Sequence, residues 1–310
     1  MIFVDDYSSD GTLPVLYAFK QESGVKTHIL KSNETKGPGI CRNLGISHAS
    51  GQYLIFLDSD DSLARNSLLE IHNFLSSIDD IPDIIPFDYC VTPSLDSSYI
   101  ESHKDVLRSR NDFDYFSSKH LLIKSYLEMK MDGSVIFTAF RRDFIVGNKL
   151  YFYEGIYEDI AFLFKAFWMC NLSHALKKPI YFKLERPGSI VKTFSLMHVD
   201  RYISAWFEIL RIFSNSASCP DHNMNIDQLF ESFLIGIRGA IGVLLDMSSR
   251  IDSRDNSSHQ DVIDAIIDKL LTEPKIAKAL SSLDESTLNS KYDKIFKQVY
   301  YQLRNGYARM

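Results

Sequence analysis

The apolar run Tyr53-Leu54-Ile55-Phe56-Leu57 leads directly into Asp58-Ser59-Asp60-Asp61. A buried strand takes Leu, Ile and Phe, and a turn takes one or two Asp. Three carboxylates at one strand end concentrate negative charge that has to be solvated, paired or neutralised by a cation. Hard divalent ions favour such oxygen-rich sites and commonly share them with substrate phosphates. Taken alone, the run reads equally well as a solvated turn whose Asp61 or Ser62 caps a following helix.

The flanking sequence repeats the theme. Residues 1–4 read as a strand entering the polar turn Asp5-Asp6-Tyr7-Ser8-Ser9-Asp10-Gly11-Thr12, and residues 13–21 as a helix with Pro14 in its first turn. Residues 27–30 read as a second strand. Gly37-Pro38-Gly39 opens a helix that carries Arg42 and Asn43 and ends near Ser50-Gly51. Residues 53–57 form the third strand and residues 67–76 another helix. This alternation predicts an α/β fold whose mixed, mostly parallel sheet is flanked by helices. Ligands in such sheets bind beyond the carboxyl ends of the strands. Asp5-Asp6 and Asp58 to Asp61 both fall there, so two acidic turns share one edge.

Further along, residues 82–93 read as one or two strands and residues 96–114 as a polar loop. A helix over 119–131, a strand over 137–140 and a short helix after Arg141-Arg142-Asp143 follow. Glu158-Asp159 starts an apolar helix, and residues 177–183 return to strand. From His198 onward the pattern is mainly helical, which divides the chain into a domain of residues 1–197 and a helical C-terminal region of residues 198–310.

Composition narrows the function. A net charge of −6 gives no basis for a nucleic-acid polymer as partner, so a phosphate-bearing ligand needs local help from a metal, a few basic side chains or a helix N-terminus. The cysteines Cys41, Cys90, Cys170 and Cys219 form no CxxC pair, which argues against zinc and for a reduced, cytoplasmic setting. The apolar stretch over 233–247 is interrupted by Arg238 and reads as a packed helix. The chain opens on Ile2-Phe3-Val4, already strand-like, with no signal-type leader expected.

Four segments stand in order: VDDYSSDGT from Val4, KGPGICRN from Lys36, FLDSDD from Phe56 and EGIYEDIAF from Glu154. Together they resemble the family 2 glycosyltransferases, nucleotide-sugar enzymes of the Rossmann-like GT-A fold, over roughly the first two-thirds of the chain. The resemblance implies that Asp6 reads the nucleotide base while Asp5 supports the turn, since a carboxylate accepts the ring N–H of uracil. It implies that Lys36 and Arg42 face phosphate or the acidic edge, with a salt bridge to a turn Asp as the alternative for Arg42. FLDSDD resembles the DXD-type motif: Asp58 and Asp60 would lie at the nucleotide, and Asp60 and Asp61 would hold Mn²⁺ or Mg²⁺, with Asp61 the more direct ligand. The cation would stabilise the leaving diphosphate as a Lewis acid. Asp159, with Glu158 beside it, matches the catalytic base, which takes the acceptor's proton in an inverting transfer. Without the other motifs, both would read as ordinary first-turn acids. Arg186, in the segment from Leu184 to Ile190, is implied as a diphosphate or acceptor contact. Tyr153 and Trp168 are either sugar-stacking or core residues.

The implied activity is metal-dependent hexosyl or N-acetylhexosaminyl transfer from a nucleoside-diphosphate sugar, with UDP as carrier, to a saccharide or lipid-linked acceptor in surface-polysaccharide synthesis. The helical region would pair subunits, bind acceptor or dock the protein peripherally on the inner membrane face. Two other readings compete. Ser9-Asp10-Gly11-Thr12 suggests a haloacid-dehalogenase phosphohydrolase, but Ser8 stands where that family needs its nucleophilic Asp. A degenerate transferase that acts as a binding or scaffold protein is the other. The family normally opens with one more strand and helix, so a truncated or misassigned start, a remnant without activity and a replacement strand from elsewhere are the expectations for the segment before Ile2.

Overall fold

The computed structural model describes residues 1–96, 98–100, 118–185, 194–215, 225–250, 257–288 and 291–307. The chain divides into two compact units. The first comprises residues 1–119 and 133–185, and the second residues 120–132 and 186–310.

In the first unit, β1 (Ile2–Asp5) is joined through α1 (Thr12–Glu22) to β2 (His28–Lys31), which lies parallel to it. The Asp10 carboxylate accepts the Thr12 N–H at 2.9 Å, an Asx-type turn that starts α1. Asp10 is thus a turn residue with a lowered pKa, and its first cause is the hydrogen bond from the Thr12 hydroxyl. The chain continues through α2 (Pro38–His48), β3 (Tyr53–Leu54), β4 (Ser62–Leu63), α3 (Ser67–Ser76) and β5 (Ile84–Thr92). After α4 (Lys119–Leu127) come β6 (Thr138–Arg141), α5 (Arg142–Gly147), α6 (Glu158–Met169) and β7 (Leu176–Leu184).

The larger sheet has the order β3-β6-β5-β7-β4. Its central strand β5 is buried almost throughout, as a strand covered on both faces must be. Phe162, Phe164, Phe167 and Trp168 of α6 are buried in the core with Ile84, Phe87, Phe140 and Tyr181. Each such side chain contributes about 1.5–3 kcal/mol on burial. Trp168 is therefore core, whereas Tyr153 is more than half exposed.

Two details depart from the sequence expectation. The sheets are mixed but not mostly parallel: β1–β2 and β5–β7 are parallel, while β3–β6, β4–β7 and β5–β6 are antiparallel. The early alternation of strand and helix biased the reading toward parallel pairing. Among the described residues β6 runs against β3 and β5, and β4, which turns back directly after the acidic turn, runs against β7. The third strand is also shorter than its apolar run. Among the described residues β3 pairs only with β6 and β1 only with β2, so Ile55 to Leu57 have no ladder to join.

The second unit holds α7 (Leu196–Ser214), α8 (Ile226–Arg250), α9 (His259–Leu271), α10 (Pro274–Ser281) and α11 (Lys291–Tyr307). Its boundary falls after residue 185 rather than 197, and it takes in residues 120–132, because α4 packs in this helical core: the Ser232 hydroxyl donates to Glu128 at 3.0 Å. Gly236 lets the Trp206 ring and the Leu127 carbonyl approach α8 closer than any side chain would allow. Arg238, the charge that interrupts the apolar run, is buried 3.3 Å from Asp293 of α11. The span Ile226–Ser249 is long and apolar enough to cross a membrane, yet 61% of its apolar 18-residue window is buried inside the protein, as in a packed core helix.

Candidate active site

Three loops of the first unit meet through specific hydrogen bonds. The first follows β1. The Asp6 carboxylate accepts the backbone N–H groups of Lys36 and Gly37, both at 2.8 Å, and so ties the β1–α1 turn to the turn before α2. Asp5 is buried; one of its oxygens accepts the Ser8 N–H at 3.2 Å, and the other has no hydrogen-bond partner. A buried carboxylate oxygen without a donor is costly, and this atom is the one acceptor of the pair left without a hydrogen bond. The geometry exchanges the emphasis of the sequence reading: Asp6 braces two turns, and Asp5 carries the unsatisfied oxygen. Cys41 lies against Asp6 and Asp5, and burial first, then their charge, pushes its thiol up to about 12, so it is inert.

The second loop is the acidic turn. Its Asp61 N–H donates to the Asp58 carbonyl at 3.1 Å. Asp58, Asp60 and Asp61 each present a carboxylate oxygen, all within 4.8 Å of one another. Near a protein surface two like charges 4 Å apart repel by about 4 kcal/mol. The turn therefore needs compensation, and a set of hard oxygen donors suits Mg²⁺ or Mn²⁺. Part of the compensation comes from the protein itself. Asp61 accepts the Tyr181 hydroxyl at 2.7 Å on one oxygen and the Leu184 N–H at 2.8 Å on the other. Burial nevertheless raises its pKa.

The third loop leads into α6. Its Glu158 and Asp159 occupy the first turn, behind Tyr157 in a left-handed conformation at φ 63°. Arg42 of α2 joins this loop to the second. One guanidinium nitrogen donates to Glu158 and another to Asp58 at 2.9 Å, and the guanidinium lies over the Phe152 ring. Burial would lower the Arg42 pKa, but the charges of Asp58, Glu158 and Asp159 outweigh it and raise the value. Arg42 thus takes the salt-bridge alternative, with a second carboxylate, from α6, added to it. Glu158 is correspondingly corrected. Buried and bonded to Arg42, it is a positioning group and not an open base. Asp159 is partly exposed and close enough to contribute to the Arg42 field.

Two residues of α2 make this junction possible. The Asn43 side chain donates to the Phe152 carbonyl at 2.8 Å and accepts the Phe152 N–H at 2.9 Å, which clips the loop before α6 onto α2. At Gly39 an added Cβ would lie 2.5 Å from the Tyr153 carbonyl oxygen and 2.7 Å from Glu158 Cγ, so only glycine fits. Phe56, from the run into the acidic turn, packs edge-on to Phe152 and Phe162, and these two stack at 3.8 Å. Asp5, Asp6, Arg42, Asp58, Asp60, Asp61, Glu158 and Asp159 are thus joined directly or through neighbours. Lys36 is turned to Glu34 at 2.6 Å. Arg186 lies outside the described residues. Asn43 and Tyr181 were not singled out from sequence as site residues. An Asn directly after the Arg of the glycine-opened helix was a usable signal, whereas nothing local marked Tyr181.

Comparison with known proteins fits this arrangement. Residues 1–144 match the model of Glycosyl transferase family 2. The poly(ribitol-phosphate) β-N-acetylglucosaminyltransferase TarS of Staphylococcus aureus (strain Mu50 / ATCC 700699) is 24% identical over 250 residues, 76% of this chain, which spans only 38% of that relative's length. The crystal structure of S. aureus TarS 1-349 with UDP superposes with a TM-score of 0.64 at 17% identity, covering 99% of this chain and 81% of that one. A mannosyltransferase from Pyrobaculum calidifontis, in complex with GDP-Man and Mn²⁺, gives 0.51 at 11% identity, covering 97% of this chain and 76% of that one. Residues 1–144 are thus similar to glycosyl transferase family 2, and the fold is the GT-A fold of the solved neighbours.

Proposed function

We propose that the protein is an inverting glycosyltransferase that moves a hexosyl or N-acetylhexosaminyl group from a nucleoside-diphosphate donor, UDP-linked, to a hydroxyl of a cell-surface saccharide or polyol-phosphate polymer. The observation that carries this reading is the Arg42 bridge, which brings the acidic turn and the Asp159 turn of α6 side by side. A donor-binding carboxylate cluster and a base on a neighbouring helix are the two parts an inverting transfer requires.

The residues divide the work as follows. The free oxygen of Asp5 accepts the base N–H, and Asp6 holds the turn that shapes the pocket. Asp58, Asp60 and Asp61 would hold Mn²⁺ or Mg²⁺. When bound, that ion supplies Lewis-acid stabilisation to the diphosphate. Asp159 takes the proton of the acceptor hydroxyl as its oxygen bonds to the anomeric carbon. The bond from that carbon to the diphosphate oxygen breaks on the opposite face, and configuration inverts. Arg42 and Glu158 hold the two halves in register. The similarity to TarS and to the GDP-Man and Mn²⁺ complex supports the donor class and the metal.

The test is a screen of UDP-sugars against teichoic-acid-type and oligosaccharide acceptors, with Asp159→Asn as control. We expect product from the parent protein, a fall in kcat of about 10²–10⁴-fold in the variant, and UDP affinity within about twofold. Equal turnover in Asp159→Asn would remove the base assignment. A scaffold protein would show no transfer with any donor.

A further inference from the structure

Among the core aromatics Tyr181 makes contacts that packing alone does not require. Its ring is buried on β7, beside Tyr89 of β5 in the parallel ladder, and meets the Phe137 ring edge-on at 5.5 Å. Its hydroxyl nevertheless reaches the acidic turn and bonds there twice. It accepts the Asp58 N–H at 3.2 Å and donates to Asp61 at 2.7 Å. The hydroxyl has one proton, and that proton goes to Asp61. Three residues on, the Leu184 N–H takes the other Asp61 oxygen at 2.8 Å. β7 therefore grips both ends of the turn: the backbone of its first Asp and both carboxylate oxygens of its last.

We propose that Tyr181 is a positioning residue for the cation at Asp58, Asp60 and Asp61, its hydroxyl holding the turn in metal-binding shape before donor arrives. This rests on the reading of the acidic turn as a cation site. Three carboxylates within 4.8 Å repel one another and would spread if unrestrained. Hydrogen bonds from neutral donors hold Asp61 in place while leaving its negative charge intact. A lysine in the same place would hold it equally well but would compete with the ion. Partners that orient metal ligands in this way are worth about 10–100-fold in metal affinity.

The experiment measures Mn²⁺ binding by electron paramagnetic resonance of the free ion, without donor or acceptor, on the full chain. Tyr181→Phe removes only the hydroxyl, and its Mn²⁺ dissociation constant should rise at least tenfold while the helical content stays unchanged. Phe137→Leu damages the same aromatic cluster but leaves the hydroxyl, and should bind Mn²⁺ within about twofold of the parent. Parent protein that binds Mn²⁺ with Tyr181→Phe binding it equally would overturn the proposal and leave the cation site standing. Equal weakening in Phe137→Leu would overturn it too. A parent that binds no Mn²⁺ overturns the cation reading itself. Should Tyr181→Phe fail to fold, 3-fluorotyrosine placed at position 181 alone supplies the second readout. Its ¹⁹F resonance should shift on Mg²⁺ titration with the dissociation constant of Mg²⁺ binding, and a static resonance at saturation overturns the proposal.

Discussion

Replacing Arg42 by Met should destabilise the first unit by about 3–5 kcal/mol, the usual cost of stranding one member of a buried ion pair. The number rests mainly on Glu158. Its side chain is only 7% exposed, and that of Arg42 is 12% exposed, so water cannot replace the lost partner. Asp58 is 39% exposed and solvates itself, so its share is no more than the 0–1 kcal/mol of a surface pair. Removing both buried charges, as Arg42→Met with Glu158→Leu, should recover most of the loss, because apolar groups of similar volume replace such pairs at little cost. The double mutant should therefore lie at least about 2 kcal/mol above the sum of the two single variants, within the range measured for coupled neighbours. The assay must isolate the first unit, since a chain of two compact units need not melt in one step. The chain has two tryptophans, and the second unit holds Trp206. In a Trp206→Phe background, urea titration followed by Trp168 fluorescence reports the first unit alone. A thermal scan of the Arg42 variant should show its transition lowered by roughly 10 °C, at 2–4 °C per kcal/mol for a unit of this size. Strict additivity of the two substitutions, or an Arg42→Met loss below about 1 kcal/mol, would refute the claim that this bridge holds the acidic turn against α6.

Two further outcomes test neighbouring parts of the site. Gly39→Ala should cost about 1–3 kcal/mol, an overpacking penalty, because its methyl meets the Tyr153 carbonyl and Glu158 Cγ; chemical denaturation checks this, and unchanged stability would mean that the α2–α6 contact is loose. Asp61 gives a pH dependence. Its folded pKa lies above the ordinary 3.8, so the folded state binds the proton more tightly, and stability falls as pH rises from that value through the raised one. Asp61→Asn removes the titration, so the difference in melting temperature between variant and parent should move in the variant's favour as pH rises from 3.8 through the raised value. A constant difference from pH 3 to 7 would show that burial of the charge is not what strains the turn.

Much of this site could be read from the sequence because charge at strand ends is a local signal. Asp5-Asp6 and Asp58 to Asp61 announce themselves within a few residues, and Glu158-Asp159 do so at a helix start. Their partners are not local. Arg42 finds Asp58 at a separation of 16 and Glu158 at 116, and nothing in KGPGICRN distinguishes a phosphate-facing arginine from one committed to two carboxylates. Strand direction was lost for a related reason. Periodicity identifies strands but not the sense in which they pair, so β6 entered as a strand without orientation, and the two-residue β4 was not read as a strand at all.

Tyr181 shows where such reading stops. Position 181 lies in the run Lys177-Lys178-Pro179-Ile180-Tyr181-Phe182-Lys183, which reads as an ordinary strand, and its ring is as buried as that expectation requires. Only the far end of the side chain is functional, and its two partners lie 123 and 120 residues upstream. A phenylalanine there would satisfy every packing argument that places the strand. The hydroxyl is explained only by the turn it touches, where the half-buried Asp58 backbone N–H and the crowded Asp61 carboxylate both look outside the turn for partners. The residues that bear the charge can therefore be read from the sequence, while those that hold it in shape become visible only once the sheet has brought β7 beneath them.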